Sequence, residues 1–173
     1  MNIYEQWAYD RLQQEGFDVF VAYKDRGVDC IVTAGKDFGG RRQRIQVKGS
    51  RTHGMKVDGT GLGWFQFNQG KLDEAVKITD FWVFVWADKG KQGRFDPIFV
   101  VCPTETLRAR LGDYARASAK GTLNLYLQHR RVDGDDIVLD TRDDPDPTDP
   151  NRDYSAYFQN WQPLRDAVGG ESA

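Results

Sequence analysis

Apolar residues along this chain fall into two rhythms, a helical one near 3.6 residues and an extended one near two. Asn2 predicts the cap of a helix running to about Glu15, with Gly16 as its stop. Phe17 to Tyr23 then reads as a strand, and the stretches 28–34 and 42–48, rich in β-branched and apolar residues, read as two more. Gly35, Asp37, Gly39 and Gly40 between the last two supply turn chemistry, so a hairpin is the expected connection. Gly59-Thr60-Gly61-Leu62-Gly63 reads as a mobile hairpin tip, with Trp64, Phe65 and Phe67 on the strand beyond it. A helical pattern from Asn68 to Lys77 leads into the continuous apolar run Asp80 to Ala87, which fits a buried central strand. Pro97 to Cys102 predicts a further strand, and Thr104 the cap of a helix to about Arg110. The order α-β-β-β-α-β-β-α predicts an α/β fold, a mixed central sheet flanked by helices on both faces.

Beyond residue 111 the pattern weakens. Leu123-Asn124-Leu125-Tyr126-Leu127 alternates like a half-exposed strand, while Asp140 to Pro150 is too charged and Pro-rich for a packed element and reads as an exposed loop. Tyr154, Tyr157, Phe158 and Trp161 recur at i, i+3, i+4 and i+7, which predicts an amphipathic helix closed by Pro163. The expected organisation is one domain over 1–173, with a core at about 1–111 and an extension at about 112–173. The N-terminus lacks a basic stretch followed by an apolar one, and no apolar run approaches the ~20 residues needed to cross a bilayer, so a cytoplasmic protein is expected. Cys30 and Cys102 sit inside apolar runs and read as buried thiols, not as a disulfide or a zinc site. His53 and His129 read as surface residues, since neither has a ligand partner at metal spacing in the sequence.

Charge is distributed unevenly. Residues 1–131 hold 21 Lys and Arg against 15 Asp and Glu, whereas residues 132–153 hold nine Asp against two Arg. Arg41, Arg42, Arg44, Lys48, Arg51 and Lys56 gather in sequence around one segment, Arg44-Ile45-Gln46-Val47-Lys48-Gly49-Ser50. A polyanion such as nucleic acid would gain Coulomb energy there and release counterions. Strand alternation puts Gln46 and Lys48 on one face and Ile45 and Val47 on the other, where they can enter a core. Asp29, in Arg26-Gly27-Val28-Asp29-Cys30, would complete a cluster across the hairpin.

With Glu5 on a first helix, Gly27-Val28-Asp29 on one strand and Gln46-Val47-Lys48 on the next, residues 1–102 resemble the PD-(D/E)xK, or restriction-endonuclease-like, nuclease superfamily. The two segments are similar to those of archaeal Holliday-junction resolvases, Mrr-type restriction enzymes and intron-encoded homing endonucleases of that fold. The resemblance implies an α-β-β-β-α-β core, magnesium- or manganese-dependent cleavage of DNA phosphodiesters, DNA as partner, and a homodimer as one arrangement. It implies Asp29 as principal metal ligand, the Gln46 side-chain oxygen and the Val47 backbone carbonyl as neutral ligands, and Glu5 as a further acid. Lys48 would orient or activate the attacking water, and Arg42, Arg44, Arg51 and Lys56 would meet the nucleic acid. Where the commoner motif has Glu, this chain has Gln46, an uncharged amide, so weaker metal binding is expected. Two alternatives on the same scaffold are a noncatalytic nucleic-acid-binding module and a protein-interaction module that works through the Asp-rich loop.

Overall fold

The computed structural model describes residues 2–23, 27–34, 40–54, 61–89, 94–114, 121–142 and 148–169. Helix α1 (Ile3–Gln14) begins at Asn2, whose side chain accepts from the Tyr4 and Glu5 N–H groups, and Gly16 follows its end at φ 90°. Strands β1 (Asp18–Val21), β2 (Cys30–Thr33) and β3 (Gln43–Gly49) form consecutive antiparallel pairs. After β4 (Thr52–His53) and β5 (Leu62–Asn68), helix α2 (Gln69–Ile78) starts at Asn68 and returns the chain to β6 (Phe81–Lys89). β6 runs parallel to β3, and β7 (Phe95–Pro103) pairs antiparallel on its far side. The first sheet is therefore mixed, in the order β1-β2-β3-β6-β7.

β6 is apolar from Phe81 to Ala87 because that stretch is interior to the sheet and covered twice. Val83 and Val85 point toward α1 and helix α4 (Gln162–Val168), where they join Ala8, Leu12, Ile45, Trp161 and Leu164. Trp82, Phe84 and Trp86 point the other way, into a core closed by α2, by helix α3 (Thr104–Tyr114) and by a second sheet. That sheet, in the order β4-β5-β8-β9, adds β8 (Thr122–Val132) and β9 (Asp135–Asp140). Its inward residues Phe65, Phe67, Leu125 and Leu127 meet Phe84 and Trp86.

Several expectations are corrected here. Helices do not cover both faces alone, since the second sheet shares one of them. Leu62 and Gly63 belong to β5 instead of a tip, while Gly59, Thr60 and Lys56 lie outside the described residues. Thr104 does not cap α3: its hydroxyl is buried without a partner, and its N–H donates to the Asp80 carbonyl. The Leu123–Leu127 strand is longer and turns at Asp133-Gly134, both at positive φ, into β9. Asp140, expected in an exposed loop, is 1% exposed and held by Arg142 at 2.5 Å; residues 143–147 of that loop lie outside the described residues.

The aromatic helix at 154–161 is absent. Ser155–Tyr157 form one 3₁₀ turn, Phe158 bridges to Val100 on the edge of β7, and Gln159 takes φ 45°. Pairing with an open sheet edge satisfies this backbone in place of helical bonds. Pro163 sits in the first turn of α4, where its fixed φ and missing N–H cost nothing. Cys30 and Cys102 are buried free thiols, each pushed up to about 12 chiefly by burial. No helix among the described residues is long and apolar enough to cross a membrane.

Candidate active site

The antiparallel register of β2 and β3, with Cys30 opposite Ile45, carries Asp29 to the level of Gln46 just before β2 begins. The Asp29 N–H donates to the Ile45 carbonyl and its own carbonyl accepts from the Ala22 N–H, both at 2.9 Å, so its backbone is tied on both sides. Tyr9 Oη donates to the same carbonyl at 3.3 Å. Asp29 Oδ2 accepts from Gln46 Nε2 and from the Val47 N–H, each at 2.6 Å. In a strand the N–H and C=O of one residue face the same edge, so the Val47 carbonyl faces the edge where Asp29 lies. Upstream, Gly27 holds φ 87°, and a Cβ there would sit 2.8 Å from Ile78 Cδ1. Thr79 Oγ1 anchors that turn by donating to the Gly27 carbonyl at 2.7 Å.

Gln46 and Lys48 share one face of β3, as alternation requires, while Ile45 and Val47 are buried on the other. That face opens into a cleft of about 400 Å³ against α2, lined among others by Gly27, Gln46, Lys48, Phe67, Lys71 and Glu74. Lys48 Nζ lies 5.8 Å from the centroid of the Phe67 ring, a cation–π contact that holds the ammonium group over the cleft. Leu72 and Ala75 turn α2 into the core. Lys71, Glu74 and Ile78, at i, i+3 and i+7, then line the cleft. The N-terminus of α2 opens here too, with Asn68 Oδ1 accepting from the Lys71 N–H at 3.2 Å, and the helix dipole favours an anion at that end. Lys71 and Glu74 were not foreseen from the sequence. Their one-turn spacing beside the 72/75 stripe was legible, but the flank that faces β3 was not.

The remaining expected residues lie elsewhere. Glu5 closes a capping box: its carboxylate accepts from the Asn2 N–H at 3.0 Å and from Asn2 Nδ2 at 2.7 Å. Arg44 forks onto Asp80, with Nε to Oδ2 at 3.0 Å and Nη2 to Oδ1 at 2.8 Å, and Nη1 donates to the Lys77 carbonyl at 3.0 Å. Burial raises the Asp80 carboxyl, but the hydrogen bonds and charge of Arg44 outweigh it and leave the group below its ordinary value. Those hydrogen bonds in turn raise Arg44. Arg42 is exposed beside Phe20, Ile31 and Thr33, at the opposite end of β3 from Lys48. Arg51 is exposed past the Lys48 end, next to Tyr4, Trp7 and Thr52. The structure thus joins Asp29 to Gln46, sets Gln46 and Lys48 on the cleft with Lys71 and Glu74, and leaves Glu5, Arg42, Arg44 and Arg51 off the cleft lining.

Oxygen donors of this kind suit a hard cation such as Mg²⁺. Asp29 supplies a fixed carboxylate, the Val47 carbonyl faces the same edge, and the Gln46 amide can present its oxygen by rotating about its last bond. Among the described residues no three His, Cys, Asp or Glu side chains gather at metal-ligand spacing, so such an ion would rely on neutral oxygens and water. The other titratable cluster lies away from the cleft and corrects the expectation of a surface histidine. His129 is half-buried, with Nδ1 3.1 Å from Asp88 and Nε2 2.9 Å from Asp136, and its ring stacks on Phe158. Burial lowers its pKa, but the two carboxylates outweigh that and raise it.

Compared with known protein families, with curated proteins and with solved structures, the chain matches none, so the geometry of the site stands by itself.

Proposed function

We propose that the chain is a metal-dependent endonuclease that hydrolyses DNA phosphodiester bonds on a restriction-endonuclease-like scaffold. The observation that carries this reading is the hydrogen bond that ties Gln46 to Asp29, with Gln46 and Lys48 lining one cleft beside it. The order of α1, three antiparallel strands, a crossover through β4, β5 and α2, and the parallel strand β6 supports the α-β-β-β-α-β scaffold that those motifs imply, with β4 and β5 inserted before the crossover helix.

Asp29, the Val47 carbonyl and the Gln46 amide oxygen would hold Mg²⁺ or Mn²⁺, with Glu74 a further acid on the cleft wall. When bound, such a cation supplies charge neutralisation at the phosphoryl oxygens and a lowered pKa for water. Lys48, held over Phe67, donates to a phosphoryl oxygen and orients the attacking water. Lys71 and the amino end of α2 bind the flanking phosphate. Arg51, exposed past the Lys48 end of β3, extends that backbone track.

A second reading, a noncatalytic nucleic-acid-binding module, is favoured by the contact of Gln46 Nε2 with Asp29, which leaves one anion where the commoner motif has two. Labelled linear, branched and single-stranded DNA, incubated with Mg²⁺, Mn²⁺ or chelator, separates the two. Metal-dependent cleavage that disappears in Asp29→Asn supports the nuclease. Salt-sensitive binding without cleavage under any metal supports the module.

A further inference from the structure

The outward face of the second sheet carries a feature that the cleft does not use. Trp64 on β5 is 39% exposed, whereas Trp82, Trp86 and Trp161 are all nearly buried. It sits opposite Tyr126 on β8, the two rings stacked at 5.7 Å and 16°, and His53 on β4 meets it edge-on at 5.6 Å. Trp64 Nε1 and Gln66 Nε2 both donate to Asn124 Oδ1, at 2.9 and 3.1 Å. The result is an exposed row of aromatic and amide groups across three strands. A cross-strand aromatic pair also steadies a sheet, so the row by itself names no partner.

Charge and continuity name one. Strands β4, β5 and β8 contain no Asp or Glu, and the exposed cations Arg51 and Arg130 lie at their margins. A phosphate backbone can therefore approach this face without meeting a carboxylate on those strands. The outward row Trp64, Gln66, Asn68 runs along β5 for about 13 Å and ends at Asn68, which lines the Lys48 cleft and caps α2. Stacking on exposed aromatic rings recognises bases that are unpaired, because only those present a free π-face.

We propose that the outward face of β4, β5 and β8 binds unpaired DNA bases through Trp64 and Tyr126 and directs a single-stranded segment toward the Gln46–Lys48 cleft, away from the carboxylates of β9. The proposal rests on the reading of that cleft as a phosphodiester site. It assigns DNA with a single-stranded portion as the preferred substrate class.

Binding of the full chain to a fluorescent oligothymidine and to a blunt duplex of equal length, measured by anisotropy in chelator, tests it without any cleavage. Trp64→Thr keeps β propensity at an exposed strand position, Trp64→Phe keeps an aromatic face, and thermal melts confirm that each variant folds. Trp64→Thr should weaken oligothymidine binding by about tenfold or more while leaving duplex binding within about twofold, and Trp64→Phe should restore most of the loss. Oligothymidine should also quench the wild-type indole emission and fail to do so in Trp64→Phe, a readout that survives if the Thr variant does not fold. Unchanged oligothymidine affinity in a folded Trp64→Thr chain, or an equal loss for both DNAs, would overturn the proposal. So would a wild-type chain that binds no single strand. The cleft reading fails separately: Trp64-dependent binding without cleavage in any metal keeps the platform and removes the nuclease, and metal-dependent cleavage indifferent to Trp64 does the reverse.

Discussion

Replacing Gln46 by Glu introduces an anion where Asp29 Oδ2 now accepts a 2.6 Å hydrogen bond. Two carboxylates so close cannot both ionise without a cation. With charge centres about 4 Å apart, the repulsion is roughly 4 kcal/mol at an effective dielectric of about 20, and the lost hydrogen bond adds about 1 kcal/mol. Both groups are half-buried, so water reduces the sum, and a loss of about 2–4 kcal/mol is expected in chelator at pH 8. For a chain of this size that lowers Tm by roughly 5–15 °C. The sign follows from linkage: the introduced acid has its folded pKa raised, so the penalty is absent below its unfolded value of about 4.3 and complete above the folded one. Melting Gln46→Glu and wild type in chelator from pH 4 to 8 should show a Tm gap that opens with pH. Saturating Mg²⁺ or Mn²⁺ should close much of it by binding the folded state alone. A gap that is absent at pH 8, or the same at both ends, would refute the Asp29–Gln46 contact; a pH-dependent gap that metal leaves untouched would refute the cation site.

Three further outcomes follow from the geometry. Asp80→Asn should cost about 1–2 kcal/mol near neutral pH, because it breaks the fork from Arg44. Since the Asp80 pKa is lowered on folding, the stability gap to wild type should vanish as urea titrations move to acid below that value. His129, raised by Asp88 and Asp136, contributes stability that is complete below its unfolded value near 6.5 and lost as pH rises through the folded one. The advantage over His129→Gln should therefore shrink from pH 6 upward, with the imidazole titrating above 6.5 by NMR. Gly49→Ala would bring a Cβ within 2.4 Å of the Tyr4 side chain, so α1 must shift on β3 beside Lys48. A loss of roughly 1–3 kcal/mol is expected in chemical denaturation.

Local chemistry made α1 legible, since Asn2 and Gly16 signal a start and a stop, whereas Glu5, expected as a site acid, belongs to that same cap. Strand alternation sufficed to predict the face shared by Gln46 and Lys48, and hairpin pairing brought Asp29 to it. The second sheet was harder, because its strands are joined across just over sixty residues between Trp64 and Tyr126. Asp133-Gly134 did carry a hairpin signal, and the strand beyond it follows from that signal. The terminal aromatics matched helical spacing for another reason: the chain wraps the β7 edge, with Phe158 bridging Val100, and sends Tyr154, Tyr157 and Phe158 to one core and Trp161 to the other. Lys71 and Glu74 became site residues only once α2 was docked, because Leu72 and Ala75 leave two flanks that sequence cannot rank.

The most direct measurement of the central claim is single-turnover cleavage of labelled DNA by wild type and Lys48→Met, with protein in excess so that differences in affinity drop out. Asp29, Gln46 and Lys48 acting as one metal-dependent centre predict cleavage with Mg²⁺ or Mn²⁺, none in chelator, and a rate lower by about 10²-fold or more in the variant. Cleavage that survives in Lys48→Met at the wild-type rate would contradict the account, as would a folded, DNA-binding wild type that cuts no substrate with either metal.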